Sequence, residues 1–207
     1  MTVELVWVTP DAERMIADIA RVSSPKHQGR DPVPLLLALM AHGHWSPFEM
    51  ASMCVEIRTT RDVSRQILRH KSFCFQEFSQ RWSSVTEPAQ IPVCRMQNPE
   101  ARELPLGCED GMVAGWWDEV AHKVSQVAYQ HYEEALAKGV SREVARALLP
   151  EGLTPTRLYV SGTFRSWIHY LQLRLKPDTQ KEHRDVAREI QLIFAEQAPT
   201  IWSAACC

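Results

Sequence analysis

The spacing of hydrophobic and polar positions changes period several times along the chain, and each change marks an element. Residues 2–8 alternate, with Val3, Leu5 and Trp7 on one side, and predict a strand. Asp11, after Pro10, opens a helix expected to run to about Arg21, and SSPKHQGRDP (23–32) reads as a loop from its Ser, Pro and Gly. A helix is predicted over Val33–His42, stopped by Gly43. Ala51, Met53, Val55 and Ile57 alternate with Ser52, Cys54, Glu56 and Arg58, the pattern of a half-buried strand. Thr60 or Asp62 then caps a helix that turns Val63, Ile67 and Leu68 inward, and Phe73 and Phe75 suggest a second extended piece.

Residues 83–109 hold many Pro and polar residues and little periodicity, so a long surface connection is expected there. The clearest helix follows. Val113, Trp116, Trp117, Val120, Val124, Val127, Ala128 and Ala135 recur at three- and four-residue steps up to Gly139. A short helix is predicted at 141–148 before Pro150, another at about 163–174, and a last one from Asp178 to about Ala198 with Val186, Ile190 and Phe194 inside. Few strands separated by helices, with no internal repeat, predict a single α+β domain over 1–207, its helices packed around a small antiparallel sheet.

Composition narrows the function classes. The 207 residues are 45% hydrophobic and 23% charged, ordinary values for a folded domain. A net charge of -2 argues against a general nucleic-acid or membrane binder, so a basic site has to be local. No stretch approaches the roughly 20 apolar residues of a membrane span, and the acidic start, with Glu4, Asp11 and Glu13, is unlike a signal peptide. The six cysteines are scattered without C-x-x-C, as expected for reduced thiols of a cytoplasmic protein, and the adjacent Cys206 and Cys207 read as an exposed tail.

The chemistry concentrates in RHKSFCFQEFSQR (69–81). Arg65, Arg69, Lys71 and Arg81 lie near one another in sequence, and converging arginines suit phosphate or carboxylate. Ser79 and neighbouring backbone N–H groups can complete a phosphate cradle. The plain alternative is a solvated basic face, against which the three Phe weigh. Arg142 and Arg146, four apart on one helix face, and Arg165 and Arg174, flanking SWIHYLQL, form two weaker clusters. Cys74 beside Arg69, His70 and Lys71 has a setting for a reactive thiol, yet the alternation favours an inert core-adjacent cysteine. His42 and His44 do not define a metal site, no H-E-x-x-H occurs, and no metal is expected. G-x-S-x-G, the P-loop and G-x-G-x-x-G are also missing. The residues alone support an anion-binding α+β protein and leave catalysis open.

The same segment resembles the signature of the flavin-dependent thymidylate synthases, Arg-His-Arg, seven residues, then Ser. Here Arg69-His70-Lys71 precedes Ser79 by that interval, with Glu77 and Arg81 also at family positions. ARVS (20–23), GHWSPFEM (43–50), Arg65-Gln66, ARALLP (145–150) and the Arg165…His169…Arg174 run follow in the family's order. The resemblance implies reductive methylation of dUMP to dTMP, with methylenetetrahydrofolate as carbon donor, NADPH as reductant and FAD as hydride source. It also implies a homotetramer with active sites where subunits meet. Carried over by position, Gln66, Glu77, Ser79, Gln80, Arg81, Arg146 and Arg174 resemble the dUMP-binding set. Ser23, His44, Ser46, Glu49, Arg69, His70, Lys71, Arg165 and His169 resemble the FAD-binding set. The implied catalytic groups are Arg174, which would stabilise charge developing on the pyrimidine, His70, which with Arg69 would stabilise the reduced flavin's negative charge, and Ser79. Lys71 replaces the motif's second Arg, Thr163 stands where Asn is common, and Asp178-Thr179-Gln180 replaces His-Ala-Gln. These departures motivate a variant reading, a relative that methylates dCMP or makes a 5-hydroxymethyl nucleotide. A non-catalytic nucleotide- or RNA-binding module is the reading from another class.

Overall fold

The computed structural model describes residues 1–205, and Cys206 and Cys207, expected as a tail, lie outside the described residues. In chain order the elements are β1 (Thr2–Val8), α1 (Ala12–Ala20), α2 (Val33–Ala41), β2 (Ser52–Thr60), α3 (Arg61–Ile67), β3 (Cys74–Glu77), β4 (Arg95–Met96) and β5 (Leu106–Gly107). They continue with α4 (Gly111–Ala137), α5 (Arg142–Ala145), β6 (Pro155–Thr163), α6 (Phe164–Arg174), α7 (Lys181–Gln197) and α8 (Pro199–Ala205). The architecture is the expected α+β. Strands pair in the order β1-β2-β6-β3, every pair antiparallel, and β4 and β5 form a separate hairpin.

One sheet face meets the helices and the other faces outward, so alternation along β2 sorts its residues. Met53, Val55 and Ile57 join Leu158 and Val160 of β6 in a core completed by Phe164, Trp167, Ile168 and Leu171 of α6 and Val186, Ile190 and Phe194 of α7. Phe73 enters this core flat against β6. A Cβ on Gly162 would lie 2.3 Å from its ring, so only glycine permits that approach. The ring then packs 4.5 Å from Trp167, centroid to centroid, and the Trp167 indole N–H donates to the Met53 carbonyl at 3.0 Å. Thr163 caps α6, its hydroxyl accepting from the Ser166 N–H, which is the service an Asn there would also give.

Several expectations need correction. Val3, Leu5 and Trp7 do not share an inward face, because the β1–β2 register shifts between Leu5 and Trp7. That bulge changes the phase, and Val3 and Val8 are the residues that pack on the core. β6 was not anticipated, although it is a central strand. The 83–109 connection carries the β4–β5 hairpin and a buried Val85. α7 begins at Lys181 rather than Asp178, and a further helix, α8, starts at Pro199, a residue suited to a first helical turn. Cys74 is exposed rather than core-adjacent, because β3 is an edge strand that turns it to the open face. α4 buries only Ala121, Ser125 and Tyr132, while Trp116 (61% exposed), Val124 and Val127 face out. Its apolar periodicity is real: Val113, Trp117, Val120, Ala128 and Ala135 are half-buried, while Trp116, Val124 and Val127 have no covering among the described residues.

Candidate active site

α3 presents two sets of polar groups to different surroundings. Arg61 and Arg65, four residues apart, line a cleft of about 370 Å³ with Gln80, Glu143, Arg146, Leu149, Glu151 and Thr154. Glu77, at the end of β3, holds the cleft's arginines in place. Its carboxylate accepts from Ser64 at 2.8 Å and Thr156 at 3.1 Å, and lies 3.6 Å from the Arg61 guanidinium and 3.8 Å from that of Arg65. Burial lowers the Arg61 pKa and Glu77 opposes the shift, yet an arginine stays charged in a protein. The Gln80 Nε2 is buried without a hydrogen-bond partner. An unsatisfied buried amide beside three guanidiniums is a site shaped for an anion with several acceptor oxygens.

The other set is two hydrogen-bonded groups that meet where the His70 ring packs edge-on against Tyr170, 4.9 Å between centroids. The Arg174 Nε–H donates to His70 Nε2 at 2.9 Å. The Tyr170 hydroxyl meets His183 Nε2 at 3.0 Å, and His183 Nδ1 meets Gln66 Oε1 at 3.2 Å. The Gln66 amide donates to Gln180 at 2.6 Å, and Gln180 donates to Glu182 at 3.1 Å. Glu182 is gripped at both oxygens by Arg95, at 2.5 and 2.8 Å. Burial, with Arg174 adding repulsion, lowers the His70 pKa to about 4. Burial, then Arg174 and His70, lowers that of His183 to about 3. Both imidazoles are therefore neutral near pH 7. His70 therefore contributes no cationic charge in the unliganded chain. It orients Arg174 instead, whose terminal Nη atoms have no partner among the described residues.

The remaining sequence candidates are spread over the surface. Ser79 is exposed and its carbonyl accepts from the N–H groups of Trp82 and Ser83, each at 3.1 Å, closing the turn that carries Arg81. Arg81 reaches the rim of the cleft, paired with Glu143 at 3.4 Å. Arg142 and Arg146 do not share a helix face, since α5 ends at Ala145 and a tighter turn begins at Arg146. Arg142 goes to Ser84 at 3.3 Å, and Arg146 goes into the cleft. Arg165 pairs with Glu49 at 2.6 Å, and the His169 ring stacks edge-on against Trp45 at 4.8 Å near exposed Ser46. His44, Ser23, Arg69 and Lys71 are exposed. Sequence reading missed Arg61, His183 and Tyr170 as site residues. The four-residue step from Arg61 to Arg65 was a usable signal. Nothing local marks His183 or Tyr170.

A family model described as thymidylate synthase complementing protein matches residues 4–200. A flavin-dependent thymidylate synthase of Synechocystis sp. is 45% identical over 192 residues, which cover 93% of this chain and 88% of that protein. The chain belongs to the thymidylate synthase complementing protein family. A probable flavin-dependent thymidylate synthase of Paramecium bursaria Chlorella virus 1 is 42% identical over 195 residues, covering 93% of this chain and 90% of its own. Among solved structures, the UMP/dUMP methylase PolB of Streptomyces cacaoi, bound with 5-Br dUMP, matches at a TM-score of 0.87 and 27% identity. That match covers 98% of this chain and 93% of PolB.

The cofactor that goes with this family is FAD, and the donor chemistry fits it. Arg69 and Lys71 are exposed cations in no ion pair among the described residues, suited to a diphosphate. The Arg165–Glu49 pair and the Trp45–His169 stack add polar and aromatic surface of the kind a flavin nucleotide uses.

Proposed function

We propose that this chain converts dUMP to dTMP, with methylenetetrahydrofolate as carbon donor, NADPH as reductant and bound FAD as the source of hydride. The observation that carries this reading is the arginine cleft, where Arg61, Arg65 and Arg146 face the unpartnered Gln80 amide. A nucleoside monophosphate adds acceptor oxygens for these guanidiniums, which Glu143 and Glu151 in the same lining offset only in part. Gln80 donates to a phosphate oxygen, and Arg81 closes the rim after leaving Glu143. Arg174 presents its Nη groups to the pyrimidine carbonyl and stabilises negative charge there as the ring is reduced. Neutral His70 keeps Arg174 in position and accepts its Nε–H, so no second cation competes for the base. Arg69, Lys71, Arg165 and His169, with His44, Ser46, Glu49 and Ser23, hold FAD.

These residues point from several faces of one chain, which favours sites completed by another copy. We therefore infer a homotetramer. The exposed stripe of Met112, Trp116, Val124 and Val127 along the 27-residue α4 supports it, because water-exposed apolar area of that kind favours association. No described helix is long and apolar enough to cross a membrane, and we place the enzyme in the cytoplasm, with its folate and nicotinamide co-substrates.

The test is a turnover assay with purified protein. Bound yellow flavin and formation of dTMP from dUMP, dependent on both methylenetetrahydrofolate and NADPH, are expected. Protein that retains no flavin and shows no dUMP-dependent flavin reoxidation would overturn the reading. Mass analysis of products from dUMP, UMP and dCMP in parallel separates it from the variant pyrimidine chemistries.

A further inference from the structure

The β4–β5 hairpin sets two cysteines face to face. Its register pairs Arg95 with Gly107 and Met96 with Leu106, so the next positions outward, Cys94 and Cys108, are opposed. Directly opposed residues of an antiparallel pair have Cα atoms about 4.5–5.5 Å apart, inside the roughly 4.4–6.8 Å that a disulfide spans. Desolvation, and then the neighbouring Cys108, raises the Cys94 pKa. Both are free and partly accessible. Cys54 and Cys74 make an instructive contrast. Each is opposite Ser161, on either side of β6, so two strand spacings, about 9.5 Å, separate them and no disulfide can join them.

We propose that Cys94 and Cys108 are a redox modification site, a dithiol that closes reversibly to a disulfide and locks the hairpin beside the network at the start of α7. The neighbours give the lock its reach. Arg95, next to Cys94, is the residue that grips both oxygens of Glu182, and Glu182 accepts from Gln180, which accepts from Gln66. On the other strand the Cys108 thiol donates to the Asp110 carbonyl at 3.4 Å, and Asp110 caps α4. A bond between the cysteines therefore ties the α4 N-terminus to the α7 N-terminus through one short hairpin.

The oxidant is a low-molecular-weight disulfide. One thiol of the pair gives up its proton, and its thiolate attacks that disulfide, releasing one small thiol and leaving a mixed disulfide on the protein. The second thiolate attacks the mixed bond, and the second small thiol leaves. Two protein thiols are oxidised, one disulfide is reduced to two thiols, and two protons move to the departing sulfurs. Because the Cys94 thiol holds its proton above the ordinary range, closure speeds up as pH rises toward that value.

The test uses the full-length holoprotein incubated with oxidised glutathione, then digested and mapped by mass spectrometry. The expected product is one peptide pair joined through Cys94 and Cys108, lighter by two hydrogens, reversed by dithiothreitol and missing from Cys94→Ser and Cys108→Ser. Oxidised wild type should melt higher than reduced wild type, and the double Ser variant should show no such difference. A stable glutathione adduct without ring closure, or cross-links only among other cysteines, would overturn the proposal. One further arm rests on the nucleotide reading. dUMP affinity should differ between oxidised and reduced wild type and not in the double variant. Equal affinities in both states would remove the coupling to the site. A failed cross-link leaves the methylation reading intact, and a failed turnover assay leaves the cross-link result intact.

Discussion

The arginine cleft and the histidine network start from the same helix and similar residue types, yet they reach opposite electrostatic states. In the cleft, Arg61, Arg65 and Arg146 remain charged beside solvent, balanced in part by Glu77 and Glu151. In the network, burial takes the charge from His70 and His183, leaving Arg174 the one cation among the described residues that depresses both. Histidine gives up its proton at modest cost when desolvated, and arginine does not. The arginine cluster is thus an anion trap, and the histidine network a neutral frame that aims a single guanidinium.

That comparison is most open to attack at Arg174. Arg174→Ala should lower kcat/KM for dUMP methylation by about 10²–10³-fold, the size seen when a donor to developing charge is lost. Its removal should also raise the His70 pKa, because Arg174 is the second cause of the depression. A proton NMR titration of the imidazole reads this directly, and an unmoved pKa would show that burial alone sets it.

Smaller effects are expected in the cleft. Arg146→Ala should weaken dUMP binding by about 1.5–3 kcal/mol, as for a charge-assisted hydrogen bond, measured by calorimetry. Arg81→Ala should cost less, since Arg81 has to exchange Glu143 for the phosphate and its side chain is 61% exposed. Equal losses would place Arg81 inside the phosphate contact rather than at its rim.

The smallest effect is on stability. Both network histidines have folded pKa values below the unfolded 6.5, so the unfolded chain takes up more protons as pH falls. Their contribution is full above about pH 6.5 and is lost progressively as pH drops toward about 4 for His70 and about 3 for His183. Thermal melts through this window should show a falling Tm, with a shallower slope for His183→Gln. Identical slopes would mean that His183 does not stay neutral in the folded protein.

Much of the scaffold was legible in sequence. Alternation from Ala51 to Arg58 located β2, and the helical steps located α3, α4 and α6 within a few residues. β6 went unread although Thr156, Leu158 and Val160 alternate inward, because Pro155 and Gly162 bracket the run with residues that usually break strands. Its status as a strand depends on β2 and β3 flanking it, and Gly162 is explained only by the Phe73 ring above it. For α4 the periodicity revealed an apolar stripe and could not say whether the chain itself or another body covers it.

The order of the motifs along the chain, by itself, determined the family, the anion-seeking character of the arginines and the α+β class, because these depend on residue type and local spacing. Protonation states, the division of arginines between cleft and network, and the meeting of Cys94 with Cys108 were decided in three dimensions. Each of those depends on water being excluded or on strands being paired, and both are properties of segments far apart in sequence.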